Sequence, residues 1–186
     1  MEQITILFFA LGSFFGIEDG RIAADRTVIT VFPENNEIEI IQEGLFAIIH
    51  TENDSKAVLE QWDKILDMNK NRNTKWSQEL GVFPVKSFGF KTIENTIRPH
   101  FILNYSKEED LRALGIWYDS ESNQFSINNI PQYNIKTESG ILTGNYWNFN
   151  GDSSFSYTIE PFLEMPEDFQ NFKIQLEKLL PENKKE

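Results

Sequence analysis

Three short apolar runs joined by very short connections constrain the fold of this chain more than any other feature. Residues 27–32 (TVITVF) are rich in β-branched side chains, and residues 33–36 (PENN) have the composition of a turn. Residues 37–42 (EIEIIQ) alternate polar and apolar side chains, as a half-buried strand does. Glu43-Gly44 then permits a tight reversal into a third run at 45–49. Connections this short join antiparallel strands, so the pattern predicts an antiparallel meander.

Two segments have helical spacing. Thr51 can cap a helix over about 52–69 together with Asp54, and Pro166 suits the first turn of a second helix over about 166–180. We expect Trp62 and Phe172 to be buried, because each lies on an apolar stripe. The stripes comprise Val58, Trp62, Ile65 and Leu66 in the first segment and Phe169, Phe172, Leu176 and Leu179 in the second.

Further strands are predicted between and after these segments, and Asn150-Gly151 is a strong hairpin signal because it accepts a type I′ turn. The predicted fold class is therefore α+β. A single domain over 1–181 has a curved antiparallel β-sheet of meander hairpins with the two main helices packed on it, and residues 182–186 form a frayed tail. The additional strand candidates are 86–90, 101–105, 116–118, 124–127, 141–149 and 154–159.

The apolar stretch Ile4–Phe15 admits two interpretations. No positive charge precedes it and it ends in Phe14-Phe15-Gly16, unlike a secretory signal, and it is shorter than the roughly twenty residues of a spanning helix. We expect a buried strand with a bend near Gly12 in a cytoplasmic protein that does not insert into a membrane. The alternative is a secreted protein from which an atypical N-terminal segment is removed.

Composition excludes several classes of function. The 186 residues contain no cysteine, so disulfides, thiolate zinc sites and cysteine nucleophiles are ruled out. The net charge of −12 argues against nucleic-acid binding, which requires cations to displace counterions from phosphates. The charge is uneven, with −9 over residues 1–63, +4 over 64–100 and −8 over 101–168. The basic segment is interpreted as a solvated lysine-rich connection near Lys70–Lys75 or, alternatively, as a positive patch.

No motif supports catalysis. His50 and His100 lie at ends of predicted strands, but neither is followed two residues later by Ser or Thr, as in enzymes that use paired histidines on phosphodiesters. Residues 119–123 (DSESN) resemble the opening of a calcium loop but lack its glycine and its distal glutamate. Phosphate loops and nucleophile elbows are absent from the sequence. We therefore expect no cofactor, no metal and no catalytic residue.

The strongest candidate surface lies in residues 145–150 (NYWNFN). Strand alternation directs Tyr146 and Asn148 outward, while Trp147 and Phe149 face the core. Exposed tyrosine beside asparagine favours the binding of protein or sugar. The alternative is a sheet whose second face is covered by a helix or loop, which leaves the tyrosines half-buried. The residues expected to contact a partner are Tyr146, Asn148, Tyr157, Glu37, Glu39, Glu121 and Asp152, with Glu37 and Glu39 expected near Glu121 or Asp152.

The leading functional hypothesis is a non-catalytic, acidic protein-binding domain that neutralises a basic partner. Immunity proteins and nuclease inhibitors are such proteins, and the analogy rests on size and charge alone. Electrostatic complementarity would speed the association and make it salt-dependent. The alternative is a small-ligand-binding protein or enzyme with a pocket inside the curved sheet near His50 or His100.

Overall fold

A computed structural model describes residues 8–185 and shows a single α+β domain built on antiparallel sheets, as predicted. The larger sheet, sheet A, has the strand order β3-β4-β2-β1-β9, and β10 pairs with the far half of β2. Its strands are β1 Ala23–Phe32, β2 Glu37–Ile48, β3 Val85–Ile93, β4 Thr96–Asn104, β9 Phe155–Ile159 and β10 Lys173–Gln175.

The β1–β2 hairpin turns at Pro33–Asn36 as predicted, but the predicted reversal at Glu43-Gly44 is wrong. β2 runs straight through Gly44, and β1 continues alongside it as far as the pair Ala23–Phe46. Gly44 is needed for a different reason. Its φ is +65°, and a Cβ there would lie 2.9 Å from Asp25 Oδ2 on the neighbouring strand. The glycine thus allows close strand packing and does not form a turn.

The N-terminal segment is buried, but the predicted strand is wrong where the structure describes it. Leu11–Phe15 form a 3₁₀ helix, and Ala10 makes a single bridge to Ala23. Both edges of β1 beyond that point are already taken by β2 and β9, so the segment has no free edge to extend along. Its aromatic side chains enter the core, where Phe14 stacks on Phe101 at 4.0 Å between ring centroids. Residues 4–7 of the predicted strand lie outside the described residues.

The first predicted helix is confirmed as α1, Glu52–Lys70. The Thr51 side chain accepts from the Asp54 amide, while the Asp54 carboxylate accepts from the Thr51 amide, which completes a capping box. Trp62 is buried, and its ring centroid lies 5.1 Å from that of Phe90 on β3, so α1 covers one face of sheet A.

The second predicted helix is wrong: residues 166–180 form α2 Glu167–Gln170, then β10, then α3 Leu176–Leu179. β4 pairs with β2 only up to Ile41, which leaves Phe46–Ile48 free to accept β10. Sheet hydrogen bonds at this open edge outweigh the local helical preference. As a result Phe172 is 40% exposed, contrary to the expectation that it is buried. Lys184, in the predicted frayed tail, contacts Asp63 of α1 at 2.8 Å.

The smaller sheet, sheet B, has the order β5-β6-β8-β7. The predicted Asn150-Gly151 hairpin is wrong, since β8 belongs to sheet B and β9 to sheet A. Gly151 instead packs against Asn123, whose side-chain oxygen would clash with an added Cβ. Phe149 stacks on Phe155 at 4.2 Å and joins the two sheets. The strands are β5 Ile116–Asp119, β6 Gln124–Asn128, β7 Ile141–Thr143 and β8 Tyr146–Asn150.

Within residues 8–185, none of the helices is both long enough and apolar enough to span a membrane.

Candidate functional site

Sheet B has one face in the core and one face open to solvent. Residues paired directly across the strands share a face, so the pairs Ser126–Trp117, Ser126–Asn148 and Asn128–Tyr146 lie on the same side. The opposite side holds the buried Phe125 and Phe149. We call the open side the outer face of sheet B. It comprises Trp117, Asp119, Gln124, Ser126, Asn128, Ile141, Thr143, Tyr146, Asn148 and Asn150.

The outer face is amide-rich and bears exposed apolar groups. Tyr146 is 49% exposed and Ile141 is 72% exposed, and between them Asn148 is half-buried. The orientation predicted from alternation is the one found, because Trp147 and Phe149 point to the core. Trp147 is fixed there by a 3.2 Å hydrogen bond from its indole N–H to Asn129 Oδ1.

A shallow cleft of about 820 Å³ runs along the outer face and past its loops. Three of the residues predicted to bind a partner line it, namely Tyr146, Asn148 and Asp152. Glu121 lies in the adjoining β5–β6 turn. The structure therefore brings together part of the predicted set.

Asn123 ties the two loops at one end of this face. Its side-chain oxygen accepts a 2.9 Å hydrogen bond from the Tyr118 hydroxyl, and its Nδ2 donates to Asp152 Oδ1 at 2.8 Å. Its backbone carbonyl also accepts from the Gly151 amide. Asn123 has a φ of +49°, which asparagine tolerates better than most residues. Sequence reasoning assigned this asparagine only to a polar turn.

Asp119 is held in its charged form. Its carboxylate accepts hydrogen bonds from the Ser122 hydroxyl at 2.6 Å and from the Glu121 amide at 3.0 Å, and these lower the pKa of Asp119 below its usual value. Together with Glu121 and Asp152 it forms an acidic rim, by which we mean these three carboxylates, at the looped end of the outer face. All three are exposed.

Cations are nearly absent from this part of the chain. Residues 116–150 contain one, Lys136, which points to Glu160 at 2.6 Å and does not belong to the outer face. The acidic rim and the amides beside it therefore have no lysine or arginine in their own sheet strands to cancel the negative potential.

The other predicted carboxylates lie in sheet A. Glu39 Oε1 is 2.6 Å from His100 Nε2 and 3.7 Å from Lys91 Nζ, on the face of sheet A opposite α1. Glu43 on the same strand contacts Arg98 at 3.1 Å and Arg26 at 3.3 Å. Glu37, opposite Asn104, begins this strand. Glu37, Glu39 and Glu43 therefore belong to sheet A, whereas Glu121 lies in the β5–β6 turn of sheet B and Asp152 in the loop after β8.

Tyr157 must be removed from the predicted binding set. It is 3% exposed in β9, where its ring lies 6.1 Å from that of Phe149, and burial raises its pKa. The strand that carries it pairs with β1 in sheet A, and its ring packs on the core side, so Tyr157 does not belong to the outer face of sheet B.

The two histidines do not form a joint site. His50 is exposed and its ring lies 4.2 Å from that of Phe172, whereas His100 pairs with Glu39. Neither lines the cleft at the outer face or the apolar groove of about 520 Å³ beside Phe46, Phe162 and Met165. In the described part of the chain, no three carboxylate or imidazole groups converge in a way that could hold a metal ion.

Comparison of the chain with models of protein families, with curated proteins and with solved structures finds no match.

Proposed function

We propose that this chain is a non-catalytic binding protein and that the outer face of sheet B binds a basic protein. The observation that carries the proposal is a sheet face that is open to solvent among residues 8–185 and bears no lysine or arginine, with an acidic rim at one end. Exposed Tyr146 supplies a large contact area that loses little side-chain entropy on binding. The amide groups around it offer donors and acceptors to a polar surface.

Rigidity of the face supports this proposal. Phe149 on the inner side is 1% exposed and stacks on Phe155, and Asn123 joins the two loops that carry the acidic rim. A face that is held in place loses less entropy on association than a mobile loop does. Binding by such a face needs no conformational change in this protein.

The negative charge of the acidic rim favours a partner with a basic surface. A basic surface would be attracted by Asp119, Glu121 and Asp152, and the attraction would weaken with salt as the Debye length falls below roughly 8 Å. An immunity-type or inhibitor role in the cytoplasm, in which the partner is a basic enzyme such as a nuclease, is the specific form of the proposal. It rests on charge and size.

In the test, the full chain is used as bait to capture a partner protein. The captured protein is then purified, and its affinity for the chain is measured by calorimetry. We expect a basic partner and a dissociation constant that rises about tenfold or more with Tyr146→Ala or Asn148→Lys, since central aromatic residues dominate interfaces. Asn71→Lys, at the exposed end of α1, makes the same change in charge and should alter the constant less than about twofold.

Three results would contradict the proposal. The first is an acidic partner. The second is binding that strengthens as salt is raised from about 0.05 to about 0.5 M, a range over which the Debye length falls from over about 10 Å to under about 5 Å. The third is an equal loss of affinity with Asn148→Lys and Asn71→Lys, which would show a non-specific response to charge.

A further inference from the structure

β3 leaves one edge of sheet A open. It is nine residues long and pairs on one side with β4, and no strand of residues 8–185 pairs with its other side. Val85 is 58% exposed and Ile93 is 43% exposed, so both ends of the strand present apolar side chains to solvent. A long open edge of this kind is a template for a further strand.

The hairpin geometry identifies which backbone groups face outward. Glu94 and Asn95 have φ values of +51° and +62°, as in a two-residue type I′ turn, so the flanking pair Ile93–Thr96 is hydrogen-bonded. Alternation along an antiparallel pair then directs the amide and carbonyl groups of every second residue away from β4. These residues are Lys86, Phe88, Phe90 and Thr92.

Pro99 agrees with this assignment. It lies opposite Phe90, at a position where β3 and β4 exchange no hydrogen bond, so the proline leaves this ladder intact. The pairing of β4 with β2 ends just before it, at Ile41–His100. No backbone hydrogen bond to another described residue satisfies Lys86, Phe88, Phe90 or Thr92 on the open side. The backbone N–H and C=O groups of these four residues are therefore available to pair with a further strand along this edge.

The charge of the β3–β4 hairpin is opposite to that of the whole protein. Residues 85–104 contain Lys86, Lys91 and Arg98 against a single carboxylate, Glu94, whereas the chain has a net charge of −12. β3 itself carries two lysines and no acidic residue. Lys91 is 47% exposed and only loosely paired with Glu39 at 3.7 Å. β3 thus carries two of the seven basic residues of the 64–100 segment, and the ammonium group of Lys86 also donates a hydrogen bond to the Phe83 carbonyl.

We propose that the open edge of β3 binds an extended segment of an acidic partner protein, which adds to sheet A as a further strand. Backbone hydrogen bonds to the four outward residues would supply affinity, and the two lysines would select negative charge. Charge disfavours a second copy of this chain as the occupant, because pairing two β3 edges would bring four lysines onto adjacent strands. The site is separate from the outer face of sheet B.

The probe is a capped eight-residue peptide of alternating Glu and Val, and its control has Lys in place of Glu. In amide NMR spectra of the full chain we expect the acidic peptide to shift the Lys86, Phe88, Phe90 and Thr92 signals. Thr92→Pro removes one outward N–H without touching the β4 ladder and should weaken binding about tenfold, as loss of a contact worth roughly 1.4 kcal/mol does. Thr92→Val keeps the N–H and should bind within about twofold of the native chain.

If Thr92→Pro does not fold, hydrogen exchange of the native chain decides. The four outward amides should exchange quickly in the free protein and slowly with the acidic peptide. The proposal is wrong if these amides do not respond, if the Lys peptide binds as well as the Glu peptide, or if Thr92→Pro binds like Thr92→Val. A dimer seen by light scattering that Thr92→Pro abolishes would also overturn it, since a second copy would then occupy the edge.

Discussion

Replacing Asn123 tests whether one asparagine joins the two loops that carry the acidic rim. Asn123→Ala removes the hydrogen bond from the Tyr118 hydroxyl and the hydrogen bond to Asp152, which contribute about 0.5–1.5 kcal/mol each. It also places alanine at a φ of +49°, which costs roughly 1–2 kcal/mol. Because both bonds are partly solvated, we expect the free energy of unfolding to fall by about 2–3 kcal/mol in total.

Two companion variants separate the causes. Asn123→Gly loses the same hydrogen bonds but adopts the positive φ freely, so its unfolding free energy should exceed that of the alanine variant by about 1 kcal/mol. Asn123→Asp places a carboxylate next to Asp152. The mutual repulsion raises the folded-state pKa of both groups, so the destabilisation should be largest near pH 7 and should shrink as the pH falls through about 4.

Urea denaturation followed by tryptophan fluorescence measures all three variants, with the native chain as reference. The reasoning fails if Asn123→Ala costs less than about 0.5 kcal/mol, the size of an ordinary surface substitution. It also fails if the deficit of Asn123→Asp is independent of pH. A further check is the affinity for the basic partner, which the alanine variant should reduce because Asp152 is no longer held in place.

Three further predictions concern the core, the rim and a buried hydroxyl. Phe101→Ala should lower the free energy of unfolding, measured by urea denaturation, by about 3–5 kcal/mol, because the ring of Phe101 is fully buried and stacks on Phe14. Phe169 is exposed, so Phe169→Ala should lower it by less than about 1 kcal/mol. Similar losses in the two variants would contradict the placement of Phe101 in the core. Ser122→Ala should raise the pKa of Asp119 toward 3.8 in carboxyl NMR titration, because the Ser122 hydroxyl is the main cause of its lowered value. The stabilisation from Asp119 is present above its unfolded pKa and is lost as the pH falls through the folded value. In the variant this stabilisation should therefore be smaller, and its loss should be complete at a higher pH. An unchanged titration would refute the role of Ser122. Burial raises the pKa of Tyr105 to about 12, and its hydroxyl has no hydrogen-bond partner in the described part of the chain. Tyr105→Phe should therefore keep or increase the free energy of unfolding. It should also remove a tyrosine that ionises at high pH from the ultraviolet titration. A loss of more than about 1 kcal/mol would show that the hydroxyl is bonded.

Local signals were sufficient for α1 and for the β1–β2 hairpin. The Thr51 capping box and the stripe through Trp62 act within one helix, and the Pro33–Asn36 turn acts between adjacent strands. The inward Phe149 and outward Tyr146 also follow from alternation within a single strand. Such features depend on neighbours a few residues away, so they can be read without the rest of the fold.

The tertiary structure decided which edges were available. The 166–180 segment has helical spacing, yet Lys173–Gln175 form a strand because β2 extends beyond β4 and offers unpaired backbone groups. In the same way β9 pairs with β1 and not with β8, although Asn150-Gly151 favours a hairpin locally.

The candidate site, too, was predicted only in part from the sequence. The sequence alone identified Tyr146, Asn148 and an acidic balance, but it could not distinguish exposed Tyr146 from buried Tyr157, since both lie on strands with similar alternation. Nor could it place Glu39 beside His100, 61 residues away, or Asn123 beside Asp152, 29 residues away. Alternation within a strand says which side chains share a face, whereas the partner that covers a face or an edge is set by contacts between distant segments. Those contacts depend on the geometry of the whole chain and leave no local pattern.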